Sequence, residues 1–213
     1  MSFEIVSDSI IDGNVSTALN AVQDLIDKGV DPLKIITDGL MAGMNVVGER
    51  FKNGDMFVPE VLMSARAMNT SIGLVKPLIN EGDMPNAGTV VIGTVKGDLH
   101  DIGKNLVAMM MESAGFKVID IGIDASVEKF IQAVKDNDAK ILAMSAMLTT
   151  TMIYMKKVVE ALEENGLKNQ VKIMVGGAPI SAKFAKDIGA DLYSVDASSA
   201  AKEGKIILEG SFK

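Results

Sequence analysis

From Thr89 onward the sequence alternates short apolar runs with longer amphipathic stretches: TVVIGTV, KNLVAMMMESAG, KVIDIG, VEKFIQAVKDND, KILAMSAM, TMIYMKKVVEALEENG, VKIMVGG, SAKFAKDIG, DLYSV and ASSAAKEGKIILEG. Five strand-length runs, each followed by a helical period, are the pattern of a parallel sheet, because parallel neighbours need a crossover between them. The runs are nearly continuous in Val, Ile and Leu, which suits strands covered on both faces. The expectation is an α/β architecture with an open, doubly wound, five-stranded parallel sheet.

The sequence before Leu78 has a different rhythm, with apolar residues at helical spacing and almost no alternation. A short helix is expected from Phe3 to Ile11. Asn14 then caps a second, whose stripe reads Val15, Leu19, Val22 and Ile26 and which stops at Gly29. Asp31-Pro32 opens a longer third helix through Ile35, Ile36, Leu40, Met44 and Val47, ending at the Asn53-Gly54-Asp55 turn. The fourth runs from near Pro59 to Lys76, where Pro77 interrupts it. This half therefore reads as a four-helix bundle. The polar segment NEGDMPNAG, Asn80 to Gly88, separates the two rhythms, and the expected domains are residues 1–82 and 83–213.

Composition removes several kinds of chemistry. There is no cysteine among 213 residues, which excludes a disulfide framework, a thiolate metal site and a cysteine nucleophile. Lys plus Arg number 21 against 28 Asp plus Glu, a net charge of −7, with no basic cluster; no nucleic-acid partner is expected. No run of about 18 apolar residues appears, and the opening MSFEIVSDSIIDG lacks the basic start and apolar core of a secretory signal. The expectations are no membrane span and a cytoplasmic location. With 4% aromatics and no Trp, the 15 Met share the filling of the core with aliphatic residues.

In an open parallel sheet, ligands gather outside the carboxyl ends of the strands, near the point where strand order reverses. The first strand is followed by GDLHDIG, the third by SAMLTTT and the fourth by GGAP. Small, hydroxylic and glycine-rich sequence at three such ends suggests a narrow pocket with close approach to backbone. Each piece also has an ordinary structural explanation. GGAP makes a turn, the Ser/Thr run caps a helix starting near Thr151, and a lone histidine is commonly structural or on the surface. His100 is the only histidine, however, and it lies between Gly97 and Gly103 with Asp98 two residues away. If the loop is locally extended, Asp98 and His100 share a face. A carboxylate on one ring nitrogen fixes the tautomer and raises the basicity of the other, the usual support of a metal-bound imidazole. One histidine without cysteine makes a poor protein-only transition-metal site, whereas a metal already held by a macrocycle needs only one axial ligand. The residues thus point to a tetrapyrrole-type cofactor without choosing which.

Asp98-Leu99-His100-Asp101-Ile102-Gly103 resembles the DxHxxG motif of cobalamin-binding domains. Ser145-Ala146-Met147 lies where those domains carry SxL, and Gly176-Gly177 matches their later glycine pair. ERFKNGDMFVPEVLMSARAM, Glu49 to Met68, is similar to the helical cap domain of methionine synthase and of the small corrinoid proteins of methanol and methylamine methyltransferase systems. The resemblance covers the chain and implies a helical cap followed by a flavodoxin- or Rossmann-like cobalamin-binding domain. It implies a base-off, His-on corrinoid in which His100 is the lower axial ligand to cobalt. The displaced nucleotide tail would enter a pocket lined by Ser145, Thr149, Gly176 and Gly177. Gly97, Leu99, Asp101, Ile102, Gly103, Met147 and Leu148 would border the cofactor, as would Tyr193 and Ala197 in DLYSVDASSA. The family's hydrogen-bonded relay would run from His100 through Asp98 to Thr151. Two positions depart from the pattern: Met147 replaces leucine, a swap of similar volume, and Thr151 stands where methionine synthase has serine.

The same resemblance implies a methyl carrier whose cobalt cycles between Co(I) and methyl-Co(III), as in methylcobalamin. It would serve as a subunit of a multi-component methyltransferase rather than a complete enzyme. Its partners would be a substrate-specific methyltransferase, a second methyltransferase passing the group to tetrahydrofolate or a thiol such as coenzyme M, and a reductive activase. Phe57 and Met63 either cover the methyl-bearing face of the corrin or pack the helical core, and Asn80 to Gly88 would be a hinge. The competing readings are the cobalamin-binding subunit of an adenosylcobalamin-dependent mutase, a cobalamin-based light or regulatory sensor, and a nucleotide-binding flavodoxin-like domain.

Overall fold

The computed structural model describes residues 2–80 and 85–211, which divide into two units, Met1–Pro85 and Asn86–Lys213. The boundary expected between residues 82 and 83, and the centre of the expected hinge, lie outside the described residues.

The first unit is helical. Helix α1, Phe3–Ile11, is followed by α2, Val15–Asp27, whose Asn14 cap accepts a hydrogen bond from Thr17 N–H at 3.0 Å. Asp31 accepts from Leu33 N–H at 3.0 Å and opens α3, Pro32–Lys34. The rod then widens into a π-helical stretch, Ile35–Met41, and continues as α4, Ala42–Asn53, closing on Gly54. Helix α5, Val58–Val75, starts where Glu60 accepts from Phe57 N–H at 2.8 Å, and ends in a 3-10 turn, Lys76–Leu78, containing Pro77.

Two features differ from the periodicity. The buried stripe of α2 is Ala18, Ala21, Val22 and Leu25, while Val15, Leu19 and Ile26 are only half-buried. The buried face of α2 thus includes two alanines, and the larger Val15, Leu19 and Ile26 lie at its margins. The third rod is not uniformly α-helical either. Its face toward α1 is trimmed to backbone: a Cβ on Gly43 would lie 2.7 Å from the Ser7 carbonyl oxygen, and one on Gly39 would lie 3.0 Å from Val6 Cγ1.

The second unit holds β1, Thr89–Thr94; α6, Ile102–Ser113; β2, Lys117–Asp120; α7, Val127–Asp136; and β3, Ile141–Ser145. It continues with α8, Ile153–Glu164; β4, Lys172–Gly176; α9, Ala182–Ile188; β5, Leu192–Tyr193; and α10, Ala197–Ser211. All pairings are parallel and the order is β2-β1-β3-β4-β5. The inner strands are buried almost throughout, whereas β2, on the edge, is half-exposed. Phe130, Leu142, Met155, Leu162 and Ile173 are fully buried in the core on one side of this sheet. From β1 the chain passes first to β2 and then back across to β3, so strand order reverses between β1 and β3. Thr94 pairs with Ser145, and Ser145 with Gly176, so three strands end in one row beside that reversal.

Candidate cofactor site at the carboxyl edge of the sheet

The loop leaving β1 begins with a turn in which Asp98 N–H donates to the Val95 carbonyl at 3.1 Å. Gly97 has φ +80°, the left-handed value that the third position of a type II turn demands. The turn buries Asp98 completely, next to an exposed His100.

Five donors converge on the Asp98 carboxylate. Oδ1 faces His100 Nδ1 at 2.7 Å and accepts from His100 N–H at 3.2 Å. Oδ2 accepts from Met147 N–H at 2.7 Å, Leu148 N–H at 3.2 Å and the Thr151 hydroxyl at 2.8 Å. Burial pushes this carboxyl upward, but the donors from Met147, His100 and Thr151 outweigh it and hold the group well below the usual carboxylate range. An ionised carboxylate can only accept, so Nδ1 carries the hydrogen between them. In the neutral ring, Nε2 is then the nitrogen with a free lone pair, on a side chain that is 53% exposed. Thr151 also lies 2.9 Å from the Leu148 carbonyl; its single proton serves one acceptor at a time.

The loop is braced by residues that the sequence reading did not single out. The Thr94 hydroxyl, fully buried at the end of β1, donates to the His100 carbonyl at 2.8 Å. Asp124, in the loop after β2, accepts from Gly97 N–H at 2.7 Å and donates its own N–H to the Asp98 carbonyl at 3.1 Å. Lys104, buried on α6, pairs with Asp120 and donates to Asn105 Oδ1 at 2.7 Å. The sequence did carry a signal for this loop: IGIDAS follows β2 at the same edge of the sheet and contains a glycine and an aspartate.

The remaining positions sort by distance from this cluster. Ser145 ends β3 half-buried, Thr149 is exposed in the turn before α8, and α8 begins at Ile153 without a side-chain cap. The hydroxyls of the Ser/Thr run therefore do not cap α8; the buried one, Thr151, turns to Asp98. Gly177, at φ +126°, passes so close to β3 that a Cβ would lie 1.9 Å from the Ala146 carbonyl oxygen. Gly103 is different: a Cβ there would meet nothing within 4 Å, although glycine inside a helix costs about 1 kcal/mol relative to alanine. Leu99, Ile102, Met147 and Leu148 are all large exposed hydrophobic residues. Asp101 precedes α6 and accepts from Asn105 Nδ2 at 3.2 Å. Tyr193 is half-buried on β5 and Ala197 is buried at the start of α10. Phe57 and Met63, on the helical unit, are 68% and 54% exposed, so neither is core packing. Among the described residues, no group of three or more His, Cys, Asp or Glu could hold a metal ion, and no helix is long and apolar enough to cross a membrane.

Comparison with known families identifies the family of this chain and the class of its cofactor. Residues 88–203 match a B12 binding domain, and residues 3–76 match a second family of the same description. The chain belongs to the B12-binding corrinoid proteins. It is 41% identical over 203 residues to trimethylamine corrinoid protein 1 of Methanosarcina acetivorans, covering 94% of each chain. It is 42% identical to the dimethylamine corrinoid protein of Methanosarcina barkeri, covering 98% of this chain and all of that one. Among solved structures, a chain of the methanol:cobalamin methyltransferase complex MtaBC from Methanosarcina barkeri superposes with a TM-score of 0.86 at 34% identity, over 98% of this chain and 80% of that one. The expected fold of this corrinoid protein, a helical B12-binding domain followed by a Rossmann-like one, is therefore the observed one, and its cofactor is a corrinoid.

Proposed function

We propose that this corrinoid protein is a methyl carrier that binds its cofactor base-off, with His100 Nε2 as the lower axial ligand. A bound corrinoid supplies a cobalt centre able to hold a methyl group between two transfer steps. The observation that carries the reading is the commitment of His100 Nδ1 to a buried, ionised carboxylate, which leaves Nε2 as the one lone pair on an exposed ring. Two further features fit a broad apolar macrocycle. Exposed hydrophobic residues flank the imidazole, and the space over Gly103 is left clear by the protein itself.

The chain's own residues then act as follows. Asp98 holds a proton on Nδ1 and so fixes the tautomer in which Nε2 is free to coordinate. Asp98 would keep its hold on the imidazole through Nδ1 whether or not Nε2 is bound to a metal. Thr151 steadies the far oxygen of that carboxylate. Ser145, Thr149, Gly176 and Gly177 would receive the nucleotide tail, with Tyr193 and Ala197 at its border. Gly97, Leu99, Asp101, Ile102, Met147 and Leu148 would line the corrin, and Phe57 and Met63 offer exposed apolar surface on the helical unit.

The names of the similar proteins, methylamine corrinoid proteins and a methanol:cobalamin methyltransferase complex, support a methyltransferase partner that loads the carrier from a methylamine or methanol; a second methyltransferase would unload it to tetrahydrofolate or a thiol such as coenzyme M. A reductive activase would return the metal to its reactive state. Reconstitution with methylcobalamin and with adenosylcobalamin, followed by visible spectroscopy and a methyl-transfer assay, tests the assignment. His100→Ala should remain folded, show an altered corrinoid spectrum and transfer methyl more slowly. Unchanged spectra in this variant would refute axial ligation by His100.

A further inference from the structure

We propose that Thr94 and Asp124 are positioning residues for His100, fixing the backbone from which the axial imidazole projects. The proposal rests on the assignment of His100 as ligand and concerns residues to which that assignment gives no part.

The Nδ1 contact ties the ring to Asp98, but it leaves open where the Asp98–His100 backbone stands relative to the sheet. An exposed ring has little packing of its own to place it, so the location of Nε2 is set by backbone anchors. Thr94 is one of them. It is fully buried, its N–H donates to the Gly122 carbonyl at 2.9 Å, and its carbonyl accepts from Ala125 N–H at 3.0 Å. A hydroxyl held on that strand end and donating to the His100 carbonyl transmits the rigidity of the sheet to the ligand residue. Asp124 is the other. It occupies φ +49°, a left-handed conformation unfavourable for a residue with a Cβ. It grips the turn on both sides of Asp98, at Gly97 N–H and at the Asp98 carbonyl. A strained residue held by two such bonds marks a site where geometry is imposed.

The test compares Thr94→Val, Thr94→Ser, Asp124→Ala and Asp124→Asn with wild type and His100→Ala in the corrinoid-loaded full chain. The readouts are the axial-nitrogen coupling in the electron paramagnetic resonance of the Co(II) form and the Co(II)/Co(I) midpoint potential. Because His100 is the sole histidine, nitrogen-15 histidine labelling also reports its ring mobility in the cofactor-free protein. Thr94→Val and Asp124→Ala should each lower the imidazole-ligation equilibrium by about fivefold, the factor one net hydrogen bond contributes, and should loosen the ring. Thr94→Ser keeps the hydroxyl, and Asp124→Asn keeps an acceptor and tolerates left-handed φ; both should stay near wild type. If Thr94→Val accumulates poorly, Asp124→Ala carries the same test. Wild-type coupling, potential and ring mobility in Thr94→Val and Asp124→Ala, beside a changed His100→Ala, would overturn the proposal. An unchanged His100→Ala would instead overturn the axial assignment on which it rests.

Discussion

Replacing Asp98 with asparagine changes one atom and should disturb both stability and ligation. The amide has one acceptor oxygen where the carboxylate had two, and five donors surround the site. The least costly rotamer keeps the oxygen toward Met147, Leu148 and Thr151 and turns the NH2 toward His100. Three charge-assisted hydrogen bonds become neutral, each weakened by about 1 kcal/mol, and His100 N–H loses its partner. Set against this, a buried amide carries a smaller desolvation penalty than a carboxylate. A net loss of about 2 kcal/mol remains, or roughly 6–10 °C in Tm for a unit of this size. Facing an NH2, His100 Nδ1 must become the acceptor, so the hydrogen moves to Nε2 and the lone pair proposed to bind the cofactor is lost. Urea unfolding of the cofactor-free chain, followed by circular dichroism, should show a lower midpoint with an unchanged slope. Nitrogen-15 spectra of the single histidine should show the tautomer exchanged. A wild-type midpoint together with a wild-type tautomer would refute the reasoning.

The same carboxylate makes acid stability informative. Its folded-state pKa lies below its unfolded value, so its contribution is complete above pH ~4 and is lost as pH falls from there toward the folded value. The stability gap between wild type and Asp98→Asn should shrink as pH falls below about 4; a gap that widens in that acid range would contradict the sign. Gly177→Ala places a Cβ 1.9 Å from the Ala146 carbonyl oxygen at φ +126° and should prevent accumulation of folded protein. Gly73→Ala, in α5 where a Cβ meets nothing within 4 Å, should stabilise by about 0.5–1 kcal/mol in chemical denaturation. Equal behaviour of the two glycine variants would show that crowding does not decide between them.

Much of the architecture was legible because it is written in residue type. Asn14 and Asp31 sit where helices need acceptors, and the five apolar runs from Thr89 have strand length and helical spacers between them. The π-helical stretch was not legible, since Asp31 to Asn53 reads as one helical period and nothing in that spacing marks the widened turn. Asp98 and His100 could be paired from their spacing. Thr151 lies 53 positions further along and reached the cluster only through the family resemblance. The amides of Met147 and Leu148 were beyond reach, because a backbone N–H has no residue code. Thr94 and Asp124 were overlooked for a related reason: a threonine ending a strand and an aspartate in a turn are ordinary until the fold shows what they touch.

The shared row of Thr94, Ser145 and Gly176 has one more consequence. It makes the ligand edge a single ledge whose level is set by ladder hydrogen bonds deep in the interior. A slip of one residue in β3 would raise the Met147 and Leu148 amides by about 3.3 Å and reverse the faces of that strand, stranding Asp98 without its three partners there. Interior substitutions far from the histidine that favour an alternative alignment should therefore disrupt the Asp98–His100 cluster while sparing overall helix and strand content.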